Sequence, residues 1–256
     1  MDWRSEGGVR WLEARLPGAR VAFSTRVGGI SDGPFESLNL GILTDDARDS
    51  VVENRRRLAA AVGLEPERIA IGRQVHGAEL QTHTAAQRPS PFAEPGSEIP
   101  EVDGHVIPAP SGDDSREQAP AALVFVADCL PVALSGPGGV AMLHCGWRGL
   151  AAGIVSRGAE AVGATDAALG PGIGPCCYEV GDEVLGAFAA LGPGIAEGRM
   201  LDLAEVARRL LERAGVERIE AAGLCTSCEQ ELFFSHRRDQ GRTGRQSGLA
   251  WLEAGD

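Results

Sequence analysis

The segment Val140-Ala-Met-Leu-His-Cys-Gly-Trp-Arg-Gly-Leu150 leaves its backbone few options. Residues 140–143 are apolar and β-prone, His144 and Cys145 follow, and Gly146 and Gly149 bracket Trp147-Arg148. From Leu150 the spacing turns helical, with Leu150, Ile154 and the pair Ala161-Val162 close to one helix face. A strand that ends in His-Cys and passes through glycines into a helix start is a favourable mount for chemistry. Backbone can approach a ligand closely at glycine, and a helix start offers unpaired N–H groups to an anion. The same pattern also reads as a tight strand-to-helix turn whose histidine satisfies local hydrogen bonds.

A second feature limits the layers such a unit can join. Residues 121–127, Ala-Ala-Leu-Val-Phe-Val-Ala, form a continuous apolar run of strand length, the mark of a strand covered on both faces. It ends in Asp128-Cys129-Leu-Pro131, and residues 132–134 give a further short strand. Upstream, residues 21–25 read as a strand ahead of the glycine turn Arg26-Val-Gly-Gly-Ile-Ser31. Ser50-Val-Val-Glu53 has capping-box spacing before a helix that stops at Gly63, and residues 69–75 form a strand ending beside His76-Gly77. Downstream, a helix runs from about Asp182 to Ala190. Leu203, Val206, Ala207, Leu210 and Leu211 make an amphipathic helix with Asp202 as N-cap, and residues 218–222 form a last core strand. Strands and helices mix without strict alternation, which predicts an α/β (α+β) fold: a single layered domain over residues 1–256, with a mixed β-sheet core and flanking helices. The Pro-, Ser- and Gly-rich residues 87–120 are expected to be a surface excursion, because candidate ligands flank them and have to come back together.

Charge and residue usage narrow the partners. A formal net charge of −12 leaves no positive excess to neutralise a nucleic-acid backbone. All 24 basic residues are arginine, so lysine nucleophiles and Schiff bases are absent. The N-terminus lacks the apolar core of a signal peptide and no run has the length of a membrane span, so the expected location is the cytoplasm. There, six cysteines read as metal ligands, catalytic groups or buried thiols rather than a disulfide framework.

His76, Cys129 and His144 each fall at the end of an expected strand, beside a glycine or a turn. If the strands are neighbours, two imidazoles and a thiolate converge as a zinc set with a fourth position open to water or substrate. The gaps between them carry no spacing signal, and three unrelated side chains fit the same sequence.

Motifs along the chain resemble the YfiH, or laccase-domain, family. They are Phe23-Ser-Thr-Arg-Val-Gly-Gly-Ile-Ser31, Leu38-Asn-Leu-Gly41, Asn54-Arg55, Gln74-Val-His-Gly77, Ala127-Asp-Cys-Leu-Pro-Val132, Leu143-His-Cys-Gly-Trp-Arg-Gly149, Leu169-Gly-Pro-Gly-Ile173, Cys225-Thr226, Phe233-Phe-Ser-His-Arg-Arg-Asp239 and Thr243-Gly-Arg245. They run in the family order from about Val21 to Trp251. The resemblance implies a single α/β-type domain and a zinc ion held by His76, Cys129 and His144. It also implies phosphorolysis of adenosine, inosine, guanosine and methylthioadenosine, together with adenosine deamination. Some members carry the label of a multicopper polyphenol oxidase, and others that of a peptidoglycan editing factor. The chain departs at Cys145, where a small residue such as alanine is usual, at His236, where an aromatic is common, and in the length of residues 87–120.

Phosphorolysis requires an anion site, a purine pocket and stabilisation of an oxocarbenium-like sugar. Bidentate arginine suits phosphate, and Arg148 is the first choice, Arg26 the second, and the pair Arg237-Arg238, which also reads as a solvated basic face, the third. Deamination requires water made nucleophilic at purine C6, which a zinc ion with an open position supplies. Asp128 reads equally as a support for a ligand, a general base or a turn cap. Trp147 reads as a base-stacking ring or as packing. Cys225-x-x-Cys228 reads as half of a zinc site, which Cys176-Cys177 could complete to four thiolates, as a redox pair, or as incidental or buried thiols, the reading preferred because adjacent cysteines make awkward tetrahedral ligands. His83 and His105 read as solvent-side or strand histidines without a site. The nucleobase-deaminase signature of His-x-Glu with Pro-Cys-x-x-Cys is absent.

Three other readings use the same residues. Five histidines are too few for a copper cluster plus a blue-copper site, although copper at the His–Cys–His position would give weak oxidase activity. A metal-free hydrolase would use Cys129 as nucleophile and His144 or His76 as base. A non-catalytic editing factor would need a protein partner instead of a nucleoside.

Overall fold

A computed structural model describes residues 1–96, 98–110 and 119–253. The chain opens with three antiparallel strands, β1 (Asp2–Glu6), β2 (Val9–Leu16) and β3 (Ala19–Ser24), followed by helix α1 (Arg48–Ala61) and the short strands β4 (Ile69–Ala70) and β5 (Leu80–Thr82). Next come β6 (Gly104–Pro108), β7 (Ala121–Val126), β8 (Leu130–Gly136) and β9 (Gly139–Cys145). Helices α2 (Trp147–Ala151) and α3 (Ile154–Val162) precede β10 (Asp166–Leu169) and α4 (Asp182–Ala187). The small hairpin β11 (Ala196–Glu197) and β12 (Met200–Leu201), helix α5 (Leu203–Arg213), β13 (Arg218–Ala221) and β14 (Gln246–Leu252) complete the chain.

Two mixed six-stranded sheets form the core, in the orders β1-β2-β3-β14-β7-β4 and β13-β10-β8-β9-β6-β5. Period-two alternation assigns their faces. On β8, Ala133 joins the cluster between the sheets with Phe23, Val124, Met142 and Ala250, while Val132 and Leu134 point outward to Ile154, Val162 and Val206 of α3 and α5. The outer face of the first sheet, with Trp11, Leu123 and Trp251, is covered by Leu58, Ala59 and Val62 around α1. The result is a helix–sheet–sheet–helix stack, the mixed α/β arrangement that the strand and helix patterns predict.

Several local expectations need correction. Helix α1 starts at Arg48 from Ala47, without a side-chain cap, so Ser50 and Glu53 lie inside it. Asp46 accounts for this, because its carboxylate is already held by Ser31, Asn39 and the Ala47 N–H, which fixes the chain ahead of Ser50. The helical pattern placed at Leu150 begins at Trp147 and breaks at Gly153, which adopts φ 87°. Strand β13 is an edge strand, mostly exposed and paired only to β10, rather than a core strand. Residues 87–120 are not simply a surface excursion. They supply β6, hydrogen-bonded in the second sheet, and fully buried Phe92, Asp103 and His105. Residues 97 and 111–118 of that stretch lie outside the described residues. His83 and His105 are both buried, with Nε2 of one 3.0 Å from Nδ1 of the other.

Asp202 does cap α5: its carboxylate accepts the Glu205 N–H at 2.9 Å. No helix among the described residues is long and apolar enough to cross a membrane.

Candidate active site

The register of the second sheet assembles the site. In the β8–β9 hairpin Pro131 faces His144 and Leu130 faces Cys145, which puts Cys129, one residue before β8, beside the end of β9. On the other side of β9, Gly104 of β6 faces Leu143, so Asp103 arrives next to His144, whose N–H donates to the Asp103 carbonyl at 2.7 Å. His76 comes from a loop rather than from a strand end, because the expected strand over residues 69–75 keeps only Ile69 and Ala70. Two interactions draw the chain off the sheet. The Gln74 amide replaces a strand partner, donating to the Phe125 carbonyl and accepting its N–H, both at 2.7 Å. The Asp103 carboxylate accepts the N–H groups of Val75, His76 and Gly77 at 3.1, 2.9 and 2.7 Å. Held this way, His76 has a left-handed φ of 61°.

These elements bring His76, Cys129 and His144 together: one ligand atom from each lies within 4.8 Å of the others. The imidazoles meet edge to face with centroids 4.9 Å apart. His144 is buried, Cys129 half-buried and His76 exposed, so the trio opens to solvent on one side. His144 Nδ1 lies 2.8 Å from Asp103 Oδ1, which fixes the tautomer and leaves Nε2 facing Cys129. Two nitrogens and one sulfur with an open side fit a tetrahedral zinc ion bound by three protein ligands. The helix after β9 can pass close because residues 146 and 149 lack side chains. A Cβ at Gly146 would stand 2.9 Å from Cys129 Sγ, and one at Gly149 2.8 Å from the Gly77 carbonyl.

The electrostatics favour charge on Cys129 and His144. Desolvation raises the Cys129 thiol, but the neighbouring His144 and His76 outweigh it and bring it down to about 6. Desolvation likewise disfavours the His144 imidazolium, yet Cys129 and Asp103 lift it to about 9. Burial opposes the Asp103 charge as well, and the bonds from His144, Gly77 and Val75 hold it below the usual carboxylate range. A thiolate is therefore available as a soft ligand near neutral pH.

Sequence reasoning passed over Asp103, which is fully buried and touches both histidine segments. The available signal was an acid set directly before the β-prone run Gly104-His105-Val106-Ile107, inside an otherwise polar stretch.

The other expected residues take distinct places. Asp128, at φ 89°, accepts the Thr226 hydroxyl and the Arg237 N–H, both at 2.7 Å, so each carboxylate oxygen is already engaged. Arg148 is exposed and stacks on Trp147 at 4.4 Å, while Trp147 packs against the outer core. Arg26 donates to the Glu36 and Gln230 carbonyls and lines a cavity of about 440 Å³ with Glu36, Glu231, Arg238 and Asp239. None of the three presumed ligands lines that cavity. Arg238 is bound to Asp239 and to backbone carbonyls, whereas Arg237 lies over Tyr178 at 5.3 Å. Tyr178 is pushed up to about 12, first by burial and then by Cys129, with Arg237 and Arg148 opposing. The half-buried Arg245 lies within electrostatic reach of Cys129 and Asp128.

Nearly the whole chain is similar to known proteins. Residues 20–253 match the family described as multi-copper polyphenol oxidoreductase laccase. The purine nucleoside phosphorylase YlmD of Geobacillus stearothermophilus is 38% identical over 259 residues, covering 92% of each chain. The purine nucleoside phosphorylase YfiH of Escherichia coli strain K12 is 36% identical over 250 residues, covering 92% of this chain and 94% of that protein. The crystal structure of YlmD superposes with a TM-score of 0.85 at 36% identity over 98% of both chains. That of the Bacillus licheniformis hypothetical protein YfiH gives 0.85 at 31%, covering 98% of this chain and 99% of that one. With its fold, its motif order and nearly its whole length in common with these proteins, the chain belongs to the YfiH/YlmD laccase-domain family.

Proposed function

We propose that this protein is a zinc-dependent purine nucleoside phosphorylase that also deaminates adenosine, with His76, Cys129 and His144 as the metal ligands. The observation that carries the reading is their convergence to within 4.8 Å, in a chain 38% and 36% identical to two relatives named purine nucleoside phosphorylase. A bound zinc ion would supply Lewis-acid chemistry at its open position. Zinc suits the two imidazoles and one thiolate, while copper would bind the same donors less selectively in function.

The protein's own groups would divide the remaining work. Asp103 holds the His144 ring and the His76 loop in place. Asp128 is assigned a positioning role, since Thr226 and Arg237 occupy its oxygens and its position orients the adjacent Cys129. Arg148 is the preferred phosphate contact over Arg26. Arg148 is exposed, close to Tyr178 and free of ion pairs among the described residues, whereas Arg26 donates to carbonyls in a cavity that also holds Glu36, Glu231 and Asp239. In phosphorolysis the N-glycosidic bond breaks as a phosphate oxygen bonds to the sugar C1′, and the purine leaves with a proton.

Incubating zinc-loaded protein with adenosine tests this. With phosphate, ribose 1-phosphate should match the sum of adenine and hypoxanthine; without it, inosine should be the product. Absence of all these products from the loaded protein would rule the reading out.

One observation also supports a second reading. Asp103, His144 and Cys129 form a relay of the acid–histidine–thiol type, able to make Cys129 a nucleophile without metal. Activity that survives chelation but not alkylation would favour it.

A further inference from the structure

Two turns that the proposed chemistry leaves unused bring four sulfurs together. Cys176 and Cys177 lie on a turn closed by the Cys177 N–H donating to the Gly174 carbonyl at 3.0 Å. Cys225 and Cys228 lie on a second, closed by the Cys228 N–H donating to the Cys225 carbonyl at 3.2 Å. The turns are tied edge to edge by a parallel bridge between Gly172 and Cys225, with the Thr226 N–H donating to the Gly172 carbonyl at 2.9 Å. All four Sγ atoms lie within 4.8 Å of one another, including 3.4 Å for Cys176–Cys228 and 3.5 Å for Cys177–Cys228.

That spacing selects an occupant. Ligands about 2.3 Å from a tetrahedral zinc ion stand about 3.8 Å from each other, within the range that the four sulfurs span. The cysteines are free thiols, well outside the roughly 2.05 Å of a disulfide. A multi-iron cluster would need its thiolates spread around several metal atoms. An all-sulfur donor set selects a thiophilic ion over magnesium or calcium, and four protein ligands leave no open position, as in structural rather than catalytic sites. The turn at 174–177 lets both adjacent cysteines reach the centre, which removes the objection drawn from their adjacency.

The backbone is independently built for a thiolate. Cys225 Sγ accepts the Gly174 N–H at 3.2 Å, and the N–H groups of Ser227 and Cys228 also point to it. Backbone donors gathered on one sulfur stabilise its anionic form, the form that binds metal. Cys176 and Cys228 are exposed, which gives an ion a route in from solvent.

We infer that Cys176, Cys177, Cys225 and Cys228 form a second metal site, structural in role, for a single tetrahedral zinc ion. Binding releases thiol protons to solvent and moves no electrons. The site joins the two segments that hold Asp128 in place, since the Ile173 N–H donates to the Asp128 carbonyl and Thr226 bonds its carboxylate. Zinc here would fasten the wall behind Cys129, on which Tyr178 also sits.

Elemental analysis of the full-length protein tests the inference. Wild type should hold two zinc ions per chain, and the Cys176→Ser/Cys228→Ser and Cys129→Ser variants one each. Cobalt-substituted Cys129→Ser protein should show the intense visible absorption of a four-thiolate tetrahedral site, a readout that does not depend on the double variant folding. One zinc per chain in wild type with no four-thiolate cobalt spectrum, or the four cysteines found as disulfides by intact mass, would overturn it.

Discussion

Asp103 Oδ1 lies 2.8 Å from His144 Nδ1, and the same carboxylate gathers the N–H groups of three successive residues around His76. One buried acid therefore orients two of the three presumed ligands, although the histidines are far apart in sequence. Asp103→Asn keeps the shape but presents an NH₂ group to a cluster of donors. Zinc affinity should fall about 10- to 100-fold, the usual effect of losing a ligand's supporting carboxylate. Competition with a chromophoric chelator measures this, and an unchanged affinity would remove Asp103 from the site.

Cys129→Ala deletes the only sulfur of the trio. Phosphorolysis and deamination should be lost together, with the far-ultraviolet circular dichroism unchanged. Loss of one activity and retention of the other would require two separate sites.

How much of this could be read in advance depends on the range of the interactions. Strands β7, β8 and β9 were legible because their apolar residues follow local rules, and Asp202 because a cap acts over three residues. The ligand trio lacked a spacing signal: Cys129 and His144 meet through strand register and His76 through a loop, so beforehand only their strand-end positions and the family resemblance tied them together. Asp103 stayed hidden because its partners lie 26 to 41 residues away and its neighbours are rich in proline and acid. The proximity of the four cysteines was hidden for a similar reason, since a parallel bridge between distant glycine-flanked turns brings them together.

His105 makes the fold sensitive to acid. Burial is the main cause that lowers its pKa from the ordinary 6.5 to about 3, with His83 adding to it, and burial lowers His83 as well. The unfolded chain takes up protons near pH 6.5 while the folded chain resists, so this stability is complete above 6.5 and lost as pH falls toward 3. Urea midpoints should drop between pH 6.5 and 4 in wild type, and less steeply in His105→Gln. Parallel pH profiles would show that the pair does not govern this range.

Asp202→Ala removes the cap of α5, whose buried face includes Leu203, Val206 and Leu211. The cost should be about 1 kcal/mol. In a chain of this size that corresponds to a fall of roughly 2–4 °C in Tm by calorimetry.

Gly146 has a consequence that reaches beyond packing. A single methyl group there would come within 2.9 Å of the Cys129 sulfur and 3.3 Å of the His76 ring. The bareness of that one α-carbon is what lets the sulfur and the imidazole stand where they do. Gly146→Ala would thus push the Cys129 sulfur out of its place, disturbing the trio while leaving every donor atom in the protein.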